Sequence, residues 1–273
     1  MEFKIIDRVI NELTFKNKNI ILPWGIETAD MDSFFSLEKG IGYRYEEGYF
    51  KEDFSRKQYH YETEIKMKFG HWKLEGTEHI ENDSQIVREA TLTCLEDTWL
   101  MDFVMRFRFP REQFSIAEIA GKTIEFQGTN IYHQYPIDEV YLSGKTLQCR
   151  IKVIDKRCHK KLQPVMYVRD SNHDEWIVHV RMIPVCSDIE IIKLCNSWYK
   201  TKAIPHWLSR IILKSEYLKK RLWYAGERKE FKSKLMRFIN PNAFPMVRLK
   251  KGERLTWKVL CEFRELNSLN AEE

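Results

Sequence analysis

Between residues 59 and 184 the sequence alternates apolar and polar side chains with a period of two. One side of the first run carries Tyr61, Thr63, Ile65, Met67 and Phe69, and the other side carries Glu62, Glu64, Lys66 and Lys68. Successive side chains of a β-strand point to opposite faces of a sheet, so the pattern predicts strands with one buried and one polar face. Comparable runs recur roughly every 10–15 residues with short turns between them, which favours an antiparallel meander.

We therefore predict a mainly β protein with flanking helices. The predicted strands cover 59–69, 71–80, 86–95, 100–109, 122–135, 147–153, 165–168 and 175–183. A barrel or a strongly curved sheet leaves each strand covered on one side, so either architecture accounts for the alternation. In architecture the predicted meander resembles lipocalin-like and other ligand-holding barrels.

The two ends of the chain have a different pattern. Apolar residues at helical spacing (Ile6, Val9, Ile10 and Leu13) predict a short helix over 3–15, or alternatively an edge strand, and the rest of 1–58 is expected to cover one end of the sheet. Residues 185–273 are predicted to be a basic, helical segment with a helix over 205–225 and a final strand over 255–263 that returns to the sheet. We expect 1–58, 59–184 and 185–273 to form one integrated domain.

Several classes of protein are disfavoured by missing motifs. The chain contains no G-x-x-x-x-G-K, no G-x-S-x-G and no H-E-x-x-H, and none of its six cysteines forms C-x-x-C. We therefore expect no cofactor and no metal site. The sequence also has no secretory leader and no run of 18 apolar residues. The expectation is a soluble, cytoplasmic protein with reduced thiols and no transmembrane segment.

The polar face of the predicted sheet holds the candidate site. Carboxylate, imidazole and guanidinium groups together can transfer protons and orient a ligand. The candidate catalytic residues are Asp102, Glu75 and His179, and the candidate substrate-binding residues are Arg106, Arg181, His71, Glu64, Tyr132 and Trp176. The competing interpretation is that this face is simply solvated, because exposed strands often carry alternating charges. If the face lines a cavity, we expect a mostly apolar small-molecule ligand and an enzyme that acts as a cofactor-independent isomerase, cyclase or lyase.

Positive charge is concentrated in the C-terminal third. Residues 200–251 contain 15 Lys and Arg against three Glu, a balance of +12. The net charge of the chain is +5, so the remaining residues together carry −7. This asymmetry supports an alternative function, a non-catalytic module that binds nucleic acid or an anionic membrane surface through Lys219, Lys220 and Arg221. The simpler interpretation is that the helix over 205–225 packs on the sheet and exposes its basic side to water.

Overall fold

The computed structural model describes residues 1–188, 193–195, 201–219, 222, 227–229, 235 and 242–266. The strands of the first half are β1 (Glu2–Ile6), β2 (Val9–Phe15), β3 (Lys18–Asn19), β4 (Leu22–Ala29), β5 (Phe34–Ser36), β6 (Tyr45–Phe54), β7 (Gln58–Met67), β8 (His71–Asn82), β9 (Gln85–Cys94), β10 (Thr98–Leu100), β11 (Asp102–Pro110) and β12 (Ile116–Ile119).

The second half contains strands and two short helices. These are β13 (Lys122–Glu125), β14 (Ile131–Tyr135), β15 (Glu139–Ser143), β16 (Leu147–Arg157), β17 (Leu162–Ser171), β18 (Glu175–Pro184), β19 (Lys193–Cys195), β20 (Thr201–Ala203), α1 (His206–Lys214), α2 (Glu216–Lys219), β21 (Glu227–Lys229), β22 (Asn242–Phe244), β23 (Val247–Leu249) and β24 (Arg254–Glu265).

Two large antiparallel sheets form the body of the protein. The seven-stranded sheet has the order β21-β14-β17-β18-β11-β4-β5, and the nine-stranded sheet has the order β13-β12-β15-β16-β24-β9-β8-β7-β6. Their inner faces share one hydrophobic core. Trp257 of β24 spans this core and donates its indole N–H to the carbonyl oxygen of Phe103 in β11, at 3.4 Å. The fold is therefore a sandwich of two sheets.

Strict alternation explains how each sheet builds its inner face. In β11 and β18 the core residues are Phe103, Met105, Phe107, Phe109, Trp176, Val178, Val180 and Met182, all with no measurable exposure. Burial of one such side chain contributes about 1.5–3 kcal/mol relative to its exposure. The prediction of antiparallel strands across 59–184 is confirmed by β7 to β18.

The prediction of a barrel is wrong. In the described part of the chain, β5 and β21 are the outermost strands of one sheet and β6 and β13 those of the other. Neither sheet closes on itself. A sandwich also leaves every strand with one buried face, so alternation alone does not distinguish it from a barrel.

Of the two structures predicted for 3–15, the helix is also wrong and the edge strand is correct, because β1 and β2 form a hairpin there and β1 lies at the edge of its sheet. Asp7 and Arg8 have φ angles of 49° and 73°, as the tight hairpin turn with two left-handed residues requires. Lys4 lies opposite Glu12 and Ile5 opposite Ile10, which leaves Asn11 as an extra residue. This bulge shifts the alternation, so the apolar spacing imitates that of a helix.

The C-terminal third is not predominantly helical in its described residues, which corrects the third part of the prediction. The helices α1 and α2 there are short, whereas β19 to β24 are strands. The predicted returning strand is confirmed, since β24 lies in the middle of the nine-stranded sheet between β16 and β9. Lys220 and Arg221 lie outside the described residues. Within the described chain, no helix is both long and apolar enough to cross a membrane.

Candidate functional site

The outer face of the seven-stranded sheet, turned away from the shared core, brings together five of the predicted site residues, namely Asp102, Arg106, Tyr132, His179 and Arg181. On this face Arg106 of β11 lies opposite His179 of β18, and His179 lies opposite Tyr167 of β17. Tyr167 lies in turn opposite Gln134 of β14. Because neighbouring strands are about 4.8 Å apart, these four side chains form one continuous row across the sheet.

The next row adds the acidic partners. Glu27 of β4 lies opposite Val104, and Val104 lies opposite Arg181 of β18. Asp102 precedes Val104 by two residues and therefore shares its face. We call this set of residues, Glu27, Asp102, Arg106, Gln134, Tyr167, His179 and Arg181, the charged face.

Arg181 connects Asp102 with Gln134. Its Nε donates to Asp102 Oδ2 at 3.0 Å, and its Nη2 donates to the same oxygen. Its Nη1 donates to Gln134 Oε1 at 2.9 Å. Asp102 Oδ1 is buried and accepts no hydrogen bond from another side chain in the described residues.

Arg106 is held between two glutamates. Its Nη1 donates to Glu27 Oε1 at 2.6 Å, and its Nη2 donates to Glu38 Oε2, which follows β5. Gly25 lies opposite Arg106 on β4. A Cβ at this glycine would stand 2.9 Å from Arg106 Nη2, so the absence of a side chain makes room for the guanidinium group.

His179 lies at the centre of the row. Its ring stacks on Tyr167 with a centroid distance of 4.4 Å and an interplanar angle of 36°. Its Nε2 atom is buried and has no hydrogen-bond partner in the described part of the chain. Burial lowers the pKa of His179 well below its ordinary value of 6.5, and the charges of Arg181, Arg106 and Arg169 lower it further. The imidazole is therefore neutral at neutral pH and retains a basic nitrogen.

The two buried carboxyl groups are shifted in the opposite direction. Burial raises the pKa of Asp102, and the adjacent Arg181 only partly offsets this effect. Burial likewise raises the pKa of Glu27 against the opposing charge of Arg106. A neutral imidazole therefore lies close to two carboxyl groups that burial makes weaker acids, and groups with pKa values shifted in this way are candidates for proton transfer.

A buried ion pair from the other sheet supports the floor of the charged face. Arg88 of β9 donates to Glu78 Oε2 at 2.5 Å and to Glu78 Oε1 at 2.9 Å, inside the sandwich. Its Nη1 also donates to the carbonyl oxygen of Arg106 at 3.0 Å. Its Nη2 lies 3.5 Å from the carbonyl oxygen of Gly25. Arg88 therefore binds the backbone of Arg106 and Gly25 from the core side of the sheet, whereas the charged face lies on the other side of the same strands.

This contact compensates for an irregularity in β4. Gly25 lies opposite Arg106 but Leu22 lies opposite Arg108, so Pro23 and Trp24 together face a single residue of β11. Proline lacks an N–H group and occurs inside strands mainly at such bulges. The side chain of Trp24 donates to the carbonyl oxygen of Arg108 at 3.1 Å. Side chains thus replace the backbone donors that the bulge removes from the ladder.

Tyr132 lies one row below His179, opposite Arg169. Arg169 Nη1 donates to the Tyr132 hydroxyl oxygen at 2.7 Å, and its guanidinium carbon lies 5.0 Å from the Tyr132 ring centroid. The predicted binding residue Tyr132 therefore borders the charged face.

Three further candidates, Glu64, His71 and Glu75, lie on the outer face of the nine-stranded sheet. Glu64 Oε1 lies 2.8 Å from His71 Nε2, and the other ring nitrogen of His71 lies 2.8 Å from Glu96. Burial lowers the pKa of His71, but the hydrogen bonds to Glu96 and Glu64 outweigh this effect and raise it overall. These residues belong to a solvated network that is separate from Asp102, Arg106 and His179.

Trp176, the remaining candidate, lies in the core between the sheets. It is completely buried, and its indole N–H donates to the carbonyl oxygen of Phe114 at 2.8 Å. No group of three or more His, Cys, Asp or Glu side chains in the described residues is placed to bind a metal ion.

Sequence reasoning missed Glu27, Glu38, Tyr167 and Gln134, and it missed the ion pair below them. Gly25 and Glu27 alternate with the apolar residues Trp24 and Ile26, which is the pattern of a short strand. The neighbouring Pro23 obscures this pattern. Glu38 lies in an irregular segment, and no periodic signal marks it.

No protein-family model and no curated protein matches the sequence. Among solved structures, the chain is similar to an Escherichia coli K12 protein provisionally described as an aldose 1-epimerase, with a TM-score of 0.44 and 8% identity over 94% of this chain and 79% of that one. It is also similar to a galactose mutarotase-like protein from Lactobacillus casei ATCC 334, with a TM-score of 0.47 and 11% identity over 97% and 99% of the two chains. Identities and TM-scores this low carry no information about activity, so the function has to be inferred from the residues of this chain.

Proposed function

We propose that the charged face binds a polar, hydroxyl-bearing small molecule and catalyses a cofactor-independent isomerisation by proton transfer. The observation that carries the proposal is the buried Nε2 atom of His179, which has no partner among the described residues although it lies between Arg106, Arg181 and Tyr167. A buried polar atom without a partner is rare in folded proteins and calls for an explanation such as a ligand or a catalytic role.

The composition of the face favours a polar ligand over the mostly apolar one predicted from the sequence. Donors on Arg106 and Arg181 alternate with acceptors on Glu27 and Asp102. Vicinal hydroxyl groups both donate and accept hydrogen bonds, so a carbohydrate-like molecule matches such an alternation. The Tyr167 ring adds an apolar surface on which the carbon skeleton of a sugar can pack.

The proposed chemistry is the opening and closing of a cyclic hemiacetal. His179 Nε2 accepts the proton of the anomeric hydroxyl group as that O–H bond breaks and a C=O bond forms. The bond between the anomeric carbon and the ring oxygen breaks, and a carboxylic acid, Asp102 or Glu27, donates a proton to that oxygen. Closure on the opposite face of the carbonyl reverses both transfers, so the enzyme returns to its initial protonation state.

The arginines have a supporting role in this scheme. Arg106 and Arg181 flank His179, and their guanidinium groups stabilise the negative charge that develops on the substrate oxygen. Positioned acid–base groups typically accelerate a reaction about 10²–10⁴-fold. A reaction that already proceeds slowly in water becomes fast with an enhancement of that size.

The direct test is the exchange between the anomers of a panel of aldoses, measured by saturation-transfer NMR. We expect the wild-type protein to accelerate the exchange of at least one sugar, and His179→Gln to lower that acceleration by about 100-fold. The matched control is His79→Gln, a half-exposed histidine of β8 on the other sheet, which should retain the activity. If no sugar exchanges faster than in buffer and none raises the melting temperature, the proposal is refuted.

A further inference from the structure

We infer that the outward side of α1 docks on an anionic membrane surface. Among the eight residues of α1 whose side chains the structure describes, four are exposed, namely Trp207, Arg210, Ile211 and Lys214. Residues three and four positions apart are neighbours on a helix, so these four side chains form one contiguous patch, here called the outward face of α1. The patch combines two large apolar side chains with two positive charges.

The opposite side of α1 already has its packing partners. Ile212 is buried among Ile204, Leu208, Leu213 and Leu218, and Ser209 is completely buried. The helix therefore does not need its outward face for folding. Even so, Trp207 is 64% exposed and Ile211 is 51% exposed.

The chemistry of the patch favours a bilayer over other anionic partners. Tryptophan concentrates at membrane interfaces, and a basic residue close to an anionic leaflet contributes about 1 kcal/mol of binding, or roughly fivefold in affinity. A nucleic-acid backbone would pair with the charges of Arg210 and Lys214 but would offer nothing to the aliphatic Ile211.

The small size of the patch also favours a membrane over a protein partner. A nine-residue helix is about 13 Å long, whereas a stable protein interface covers about 800 Å² on each partner. A membrane requires no complementary shape, and it attracts all basic residues that come within a Debye length of its surface.

Sedimentation with lipid vesicles tests this inference without any need for a substrate. We expect the intact protein to bind vesicles of phosphatidylcholine that contain about one third phosphatidylserine, and to be released from them by high salt. Replacement of both charges (R210Q with K214Q) should weaken binding about 30-fold, which corresponds to about fivefold for each basic residue. W207A and I211S should each weaken it several-fold, because apolar surface no longer enters the interface.

Matched controls distinguish binding through the outward face of α1 from non-specific adsorption to the vesicles. Phe54 is 69% exposed on β6, and F54A should bind as the wild type does. Lys4 and Lys16 are exposed in the N-terminal hairpin region, and their joint replacement by Gln removes the same charge as R210Q with K214Q but should have little effect. Unchanged melting temperatures would establish that all variants remain folded.

Equal binding to pure phosphatidylcholine, or wild-type affinity in W207A and I211S, would overturn the inference. Binding to a short RNA in place of vesicles, lost with the charges but not with Trp207, would assign the face to nucleic acid and would also overturn it. These results are independent of whether His179 has a catalytic role.

Discussion

Removal of the buried pair Arg88 and Glu78 offers the sharpest test of how the sandwich supports the charged face. Both side chains are almost completely inaccessible, with exposures of 1% and 3%. Arg88 also lies against the rings of Trp24 and Phe107, with its guanidinium carbon 5.2 and 4.8 Å from their centroids. Every change at this pair is therefore made inside the core.

The expected energies follow from what each substitution leaves behind. In Glu78→Leu the charge of Arg88 remains buried without a counter-charge, and loss of one partner of a buried pair costs about 3–5 kcal/mol. Arg88→Met costs a similar amount and also removes the donor from the carbonyl groups of Arg106 and Gly25, which adds about 1–3 kcal/mol.

The double variant Glu78→Leu with Arg88→Met should be more stable than Arg88→Met alone. Apolar residues of similar volume often replace a buried ion pair without loss, so only the cost of the two carbonyl groups remains. The carbonyl cost is common to Arg88→Met and to the double variant, so the sum of the single effects should exceed the double effect by about 6–10 kcal/mol.

Guanidinium unfolding followed by tryptophan fluorescence measures these values, since Trp24, Trp72, Trp176 and Trp257 all lie in the core. The control is the exposed pair of Lys4 and Glu12, where Lys4→Gln should change stability by no more than about 1 kcal/mol. Costs below about 1 kcal/mol for both single variants, or additive effects in the double variant, would refute the reasoning.

Three further outcomes can be checked with the same methods. Gly25→Ala should reduce stability by about 3–5 kcal/mol, because its Cβ would displace the Arg106 guanidinium from its buried pairs with Glu27 and Glu38, and it should abolish binding at the charged face, as calorimetry with a bound sugar would measure. Trp176→Phe should cost about 1–3 kcal/mol through the unpaired carbonyl of Phe114 and leave ligand affinity unchanged, whereas a loss of affinity without a loss of stability would place Trp176 in the site. The difference in the free energy of unfolding between the wild type and His179→Gln should decrease as the pH falls below 6.5, because His179 then binds a proton in the unfolded state but not in the folded state. A difference that does not depend on pH would contradict this.

Much of the fold could be predicted from alternation because β-strands impose a period of two on any half-buried sheet. The same rule explains the errors. A single bulge at Asn11 converts the alternation of β1 and β2 into an apparently helical spacing. The choice between a sandwich and a barrel depends on which strands pair, and the sequence of a single strand does not encode its partners.

The candidate site was predictable to the extent that its residues come from neighbouring strands. Asp102, Arg106, His179 and Arg181 share a face because β11 and β18 are paired, whereas Glu75 has the same local pattern on a different sheet. Glu27 and Glu38 reach Arg106 from β4 and from the irregular segment after β5, and only the tertiary structure reveals that approach.

The protonation of His179 tests the central claim most directly. Protein labelled with ¹⁵N histidine and titrated by NMR reports each imidazole, and His179→Gln assigns the signal. His179 should stay neutral until the pH is well below 6.5, the ordinary histidine pKa, because it is buried between Arg106 and Arg181. A signal that titrates at or above 6.5 would place the ring in solvent or beside an ionised carboxylate and would contradict the proposed neutral base.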